Sequence, residues 1–278
     1  MFTWREIWLK IKKKGNVKWG GGLVFIFVLA AFFGPLLAPY DPLAIRLEER
    51  LTPPGVDYLC GTDNLGRDVL SRLLYGARIS LAVGLIATSL ATLIGLIFGL
   101  WAGYLGGWSD RLIMRLVDCV LAFPGLLLAI GIMTVVGPSL VTLFIVLALV
   151  GWAEFARLIR GLVLSLKEQP YIQAAEAVGC SRIKVIVSHL LPNVLPLVVV
   201  AASLRIAGFI LTEASLSFLG LGAQPPTPTW GSMVSSGADF LRAAPWISLF
   251  PGSALALVVI GFNLLGDGLR DILDPRLR

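Results

Sequence analysis

Residues 79–109 read ISLAVGLIATSLATLIGLIFGLWAGYLGGWS, thirty-one consecutive positions without a charged side chain. At about 1.5 Å per residue, roughly 20 apolar residues cross the ~30 Å hydrocarbon layer of a bilayer. This run therefore predicts a membrane-spanning helix near 79–102. Similar runs flank it. Trp19–Tyr40 predicts a span near 20–39. Cys119–Ala153 is too long for one span and is cut by Gly137-Pro138, which divides it into spans near 115–136 and 139–159. Val185–Leu204 opens a fifth span, which Arg205 and Glu213 interrupt without ending, and Ala243–Gly266 supplies a sixth. The run Ala214–Ala238 reads as a loop instead, because Pro225, Pro226 and Pro228 stand among its glycines. The expected fold is an all-α integral membrane protein with six transmembrane helices.

Composition agrees. Of 278 residues, 57% are hydrophobic and 14% charged; soluble domains carry about 25% charged residues, so an ordinary soluble enzyme is excluded. The apolar content equally excludes disorder. One histidine and three scattered cysteines leave no Cys/His metal cluster and no disulfide scaffold. The net charge of +6 finds its explanation in topology. Sixteen basic residues fall in the first 19 positions, in 105–118, in 157–190 and in the tail, against six on the opposite side. The positive-inside rule then puts both termini in the cytoplasm and removes the case for nucleic acid. Lysines ahead of an apolar run also suit a cleaved signal peptide, but five further spans favour a retained anchor. Cys60 is expected outside, Cys180 inside and Cys119 within a helix, so no two meet.

One long loop lies on each side. The inner one, 166–193, reads LKEQPYIQAAEAVGCSRIKVIVSHLLPN. Pro170 starts a helical stretch over Ile172–Val178, Gly179 suits a left-handed cap, and Ser181 can cap a second helix that must stop before Pro192. Ile172, Ala175 and Val178 share one face, which either meets a partner protein's groove or packs under the bundle. In the outer loop, Thr62 or Asp63 can cap a helix carrying Arg67, Asp68, Arg72 and Arg78, with Arg78 at the headgroups. That helix is either a docking surface or an interfacial anchor. Beyond the fifth span, prolines stiffen an external loop that is expected to cap the pathway beside spans five and six, and in which Trp230 suits the membrane interface.

Gln173, Ala174, Ala175 and Gly179, followed by Leu191 and Pro192, resemble the EAA coupling loop of ABC importer permeases. Gln173 stands where that pattern has Glu, and His189 where it has an aliphatic residue. GTDNLGRDVLSRLLYGARISL (61–81), RLVDCVLAFP (115–124), SFLGLGAQPPTPTWGSM (217–233) and NLLGDGLRDILDPRLR (263–278) are similar to the dipeptide/oligopeptide/nickel permeases, and within them to the C-type subunit of the permease pair. Gly61, Thr62, Asp63, Gly66, Arg67, Asp68, Arg72 and Arg78 belong to the external motif. The resemblance implies a type-1 importer architecture in the cytoplasmic (inner) membrane: residues 1–78 as basic terminus, first helix and external segment, then a transmembrane domain over 79–278 with its coupling loop at 166–192. It implies translocation of di- or oligopeptides, or of nickel, without catalysis by this chain. The implied partners are a second permease, two ATPase subunits that use ATP and Mg, an external substrate-binding protein and membrane lipid. No cofactor or metal is expected on the chain itself, which has no G-x-x-x-x-G-K-[ST] phosphate loop.

Charges within spans are functional candidates, because burying them is costly. Arg205 falls near mid-membrane, where it either meets a passing carboxylate or pairs with the partner permease. Glu213, a further eight residues along, is turned away from it and is expected to mark the outer end of span five. Glu154 has Arg157 at i+3 to neutralise it. A secondary transporter driven by an ion gradient is the rival reading, and would want mid-membrane acids on inverted repeats. A non-transporting assembly protein is another, and would not need the coupling loop.

Overall fold

A computed structural model describes residues 15–273 of the chain. Arg5, Lys10, Lys12, Lys13, Lys14, Arg276 and Arg278, counted above among the basic residues that orient the termini, lie outside the described residues. The helices are α1 (Gly15–Leu37), α2 (Val69–Leu105), α3 (Gly107–Leu121), α4 (Gly125–Val136), α5 (Leu140–Lys167), α6 (Pro170–Ala177), α7 (Arg182–Val185), α8 (Leu191–Phe218), α9 (Trp230–Ala238) and α10 (Trp246–Leu273). A π turn, Ile186–Leu190, joins α7 to α8. Among the described residues, five helical stretches are long and apolar enough to cross a membrane, and α3 with α4, bent by 86°, form either a sixth, broken span or a re-entrant loop.

Helix α2 is the axis of the bundle. One side packs on α5 and α8, burying Val83, Ala87, Ala91, Leu147, Phe155 and Phe209. Its other side packs with α1, α9 and α10 around Ala77, Leu81, Ile210, Val258 and Phe262. The outer surface stays apolar, as a lipid solvent requires: Phe25, Phe32 and Leu36 of α1 are all exposed.

Four expectations change. The third span is not straight, because Pro124 follows the end of α3 and its ring disfavours helical geometry at Phe123. The proline-rich run is only partly loop. Helix α8 continues to Phe218, and the Thr229 side chain accepts from the Ser232 N–H in a capping box that starts α9. The second inner helix does not stop before Pro192. A π turn widens the backbone just ahead of it, with the Leu191 N–H reaching back to the Ile186 carbonyl, and Pro192 then occupies the first turn of α8, where no N–H is needed. Finally, the outer loop holds no separate helix carrying Arg67 and Asp68. Asp68 itself caps α2, taking the Ser71 N–H at 2.7 Å and the Ser71 hydroxyl at 2.6 Å.

Candidate functional site

The inner loop forms a helix–glycine–helix element. Helix α6 ends in a Schellman motif: the Cys180 N–H donates to the Ala175 carbonyl at 3.1 Å and the Gly179 N–H to that of Glu176 at 2.9 Å. Gly179 holds φ at +85°, a conformation side chains oppose. The Ser181 hydroxyl accepts the Lys184 N–H at 3.4 Å and caps α7. The apolar face is divided between the bundle and the open side. Ile172 is fully buried beneath the bundle, Ala175 is half-buried, and Gln173, Ala174, Ala177 and Val178 are exposed. Val178, at 86% exposure, and Ile183, at 74%, stand proud on either side of the bend. Leu191 and Pro192 belong to the root of α8, so the element is continuous with a membrane helix.

Arg205 of α8 does have a partner, and the partner is in the same chain. Its Nη2 lies 3.1 Å from Glu154 Oε1 on α5, and the guanidinium stacks over the Phe209 ring at 4.9 Å. Glu154 is not neutralised by Arg157, which instead reaches Asp118 on α3. Arg160 similarly binds Asp110, Nη2 to Oδ2 at 2.6 Å, so two arginines of α5 tie down the inner segment α3. The sequence signal for the Glu154–Arg205 pair was present: each is a charge near the centre of a mostly apolar 28-residue helix. Separation along the chain hid the pairing.

Glu213 does not mark a helix end, since α8 continues to Phe218. It is fully buried, accepting from the Ser80 hydroxyl of α2 at 3.1 Å and from Ser217 at 2.7 Å. Trp230 is not at a lipid interface either. It is 1% exposed, its indole N–H donates to the Leu73 carbonyl at 3.0 Å, and its edge meets Phe27 at 5.6 Å. Because Ser80 also accepts from the Trp230 N–H at 3.4 Å, the external loop and two spans share one buried joint.

The external motif is a polar clasp. Asp63 is 2% exposed and takes the Leu65 and Arg67 N–H groups at 2.8 and 3.0 Å and Arg67 Nε at 2.7 Å. Arg72 approaches the same carboxylate at 3.5 Å and donates to the Pro42 carbonyl at 3.3 Å. Gly61 and Gly66 both turn the chain at positive φ, and Thr62 pairs with Asp68 in a two-residue bridge. The Trp246 indole fastens this clasp to α10 through the Thr62 carbonyl at 3.0 Å. Arg78 alone of the motif's charges is exposed.

Residues 95–278 match the family model of binding-protein-dependent transport system inner membrane components, and residues 3–54 match that of the N-terminal transmembrane domain of oligopeptide transport permease C. The chain belongs to the ABC importer permeases of the peptide family. Among its relatives, a dipeptide transport system permease protein of Alkalihalophilus pseudofirmus is 45% identical, across 99% of this chain and 90% of that protein. A glutathione transport system permease protein of Pectobacterium atrosepticum is 42% identical, across 99% and 92%. The permease also shares its fold with a chain of the MetNI methionine ABC transporter in inward-facing conformations. That match has a TM-score of 0.59 at 19% identity and covers 72% of this chain and 96% of the other. The permease is thus a multi-pass inner-membrane subunit that works with other ABC components.

Proposed function

We propose that this permease moves short peptides inward across the cytoplasmic membrane, driven by ATP that two separate ATPase subunits hydrolyse with Mg. A second permease subunit completes the pathway, and an external binding protein delivers cargo. Gln173, Ala174, Ala175, Gly179, Leu191 and Pro192 form the coupling element toward the ATPases, and Glu213 and Trp230 brace the external end. One observation carries this reading: the exposed helix–glycine–helix element runs without a break into α8, so a force on Val178 and Ile183 reaches a span directly. The two named relatives are a dipeptide and a glutathione permease, which supports peptide cargo.

The test is uptake with matched ATPase association. Gly179→Pro removes the N–H that closes the bend and demands φ near −65° where the chain holds +85°. Val178→Arg places a long cation on the docking face. Both variants are expected to insert normally and to lose at least about 90% of uptake, a tenfold effect equal to about 1.4 kcal/mol of coupling. Full uptake with full ATPase association in either variant would remove the coupling role.

A further inference from the structure

Glu154 and Arg205 are each the fifteenth residue of a 28-residue helix. That places the pair about 20 Å from the external ends of α5 and α8, inside a hydrocarbon layer of about 30 Å. Their side chains are nevertheless 49% and 33% exposed in this chain. Lipid is a costly neighbour for such groups, so this face meets water or protein.

Several features distinguish the pair from a static brace. It is joined by a single 3.1 Å contact, not a two-pronged one. Arg205 Nε is buried without a hydrogen-bond partner, so the guanidinium retains donor capacity. Beside the two charges lies a cavity of about 90 Å³, lined by Glu154, Phe155, Leu158, Ala201 and Arg205. One water needs roughly 10–15 Å³ of such space, so one charged end-group enters the cavity while the other end of a short peptide meets the pair on its exposed face. The pair is also neutral within its own chain and requires no counter-charge from a partner subunit.

We propose that Glu154 and Arg205 are an end-group site for zwitterionic peptides in transit, an inference that rests on the peptide-import reading above. A carboxylate terminus takes the guanidinium and an ammonium terminus takes the Glu154 carboxylate, each replacing the ion-pair partner. The exchange keeps every charge compensated at depth. Phe209 supports the guanidinium in both arrangements through its ring face.

The experiment uses the assembled importer purified with its own partner subunits, carrying Cys60→Ser, Cys119→Ser, Cys180→Ser and Leu158→Cys. A water-soluble maleimide reports access to the thiol introduced at position 158. The probe is a defined mixture of di- and tripeptides, compared with its C-terminally amidated and its N-acetylated counterparts. Uncapped peptides are expected to slow labelling about tenfold, and either cap to remove most of that protection, since charge-assisted hydrogen bonds are worth about this much. Arg205→Gln should abolish the distinction between free and amidated peptides, and Glu154→Gln that between free and acetylated ones. Equal protection by capped and uncapped peptides, or none by any, overturns the proposal without needing a variant. Loss of the complex in both single variants, with recovery in Glu154→Arg/Arg205→Glu, also overturns it, since that is a brace. Peptide uptake into vesicles by the same complex separates the two readings: uptake without end-group protection defeats this site alone, whereas no peptide uptake defeats the import reading itself.

Discussion

At the scale of single residues, Glu213 illustrates what buried polarity does in this bundle. Its carboxyl has no solvent contact, and hydroxyls from α2 and α8 donate to it. Glu213→Ala removes an acceptor from two hydroxyls and opens a void, so the complex should lose about 2–4 kcal/mol of stability. Glu213→Gln keeps the size and one acceptor oxygen, and should cost less than half as much. Thermal unfolding of the purified complex, read by loss of the intact assembly, measures both. Equal losses in the two variants would mean that the void contributes nothing and that replacing the carboxylate acceptor carries the whole effect. The sequence announces Glu213 as a charge in an apolar run, but Ser80 lies 133 positions away. Pairwise geometry of that kind is set by helix packing, which periodicity does not encode. The same holds for Arg205, whose depth was readable while its partner Glu154 was not. Trp230 was misread for a related reason: its bulk suits an interface or a core equally, and the neighbours Leu73 and Phe27 decide.

At the scale of helices, the spans were legible because the bilayer demands long charge-free runs, and five of the six predicted spans have a single long helix beneath them, the third a bent pair. Helix ends and bends were less so, since the π turn before Pro192 and the cap at Thr229 answer local hydrogen-bond demands that hydropathy does not see. The inner-loop bend was the exception. Gly179 and Ser181 carry strong local signals, and both occupy the expected positions. Close packing left a subtler trace in Gly95, Gly99 and Gly103, four residues apart on α2. A Cβ on Gly99 would stand 2.8 Å from both the Ala156 carbonyl oxygen and Ile159 Cβ of α5. Small residues at that spacing let two membrane helices approach, where dispersion and not hydrophobicity supplies the attraction. Gly99→Leu should therefore push α2 and α5 apart at a cost of about 3 kcal/mol or more, with loss of assembled complex in mild detergent. Gly99→Ala should retain a fraction. Normal recovery of complex with Leu at 99 would show that α2 and α5 are held elsewhere.

At the scale of the whole molecule, everything about orientation turns on α3 and α4. Arginines on α5 hold α3 at the inner side through Asp110 and Asp118, and the chain then bends by 86° into the apolar α4. If the bent pair crosses once, α5 starts outside and the helix–glycine–helix element faces the cytoplasm. If it only dips and returns, every later element is inverted, and the helix–glycine–helix element would face outward, away from any source of ATP. Charge favours the crossing, because Arg157, Arg160, Lys167, Arg182 and Lys184 then all lie on the inner side with Arg111 and Arg115. Paired reporter fusions, with alkaline phosphatase active only outside and a fluorescent protein only inside, read this directly. Fusions at residues 50, 137 and 235 should report external, and fusions at 110, 180 and 278 internal. Position 137 is decisive, since it alone samples the end of α4 before α5 begins. An internal signal there, with 110 also internal, makes the pair re-entrant, and the placement of α6 against cytoplasmic ATPases falls with it.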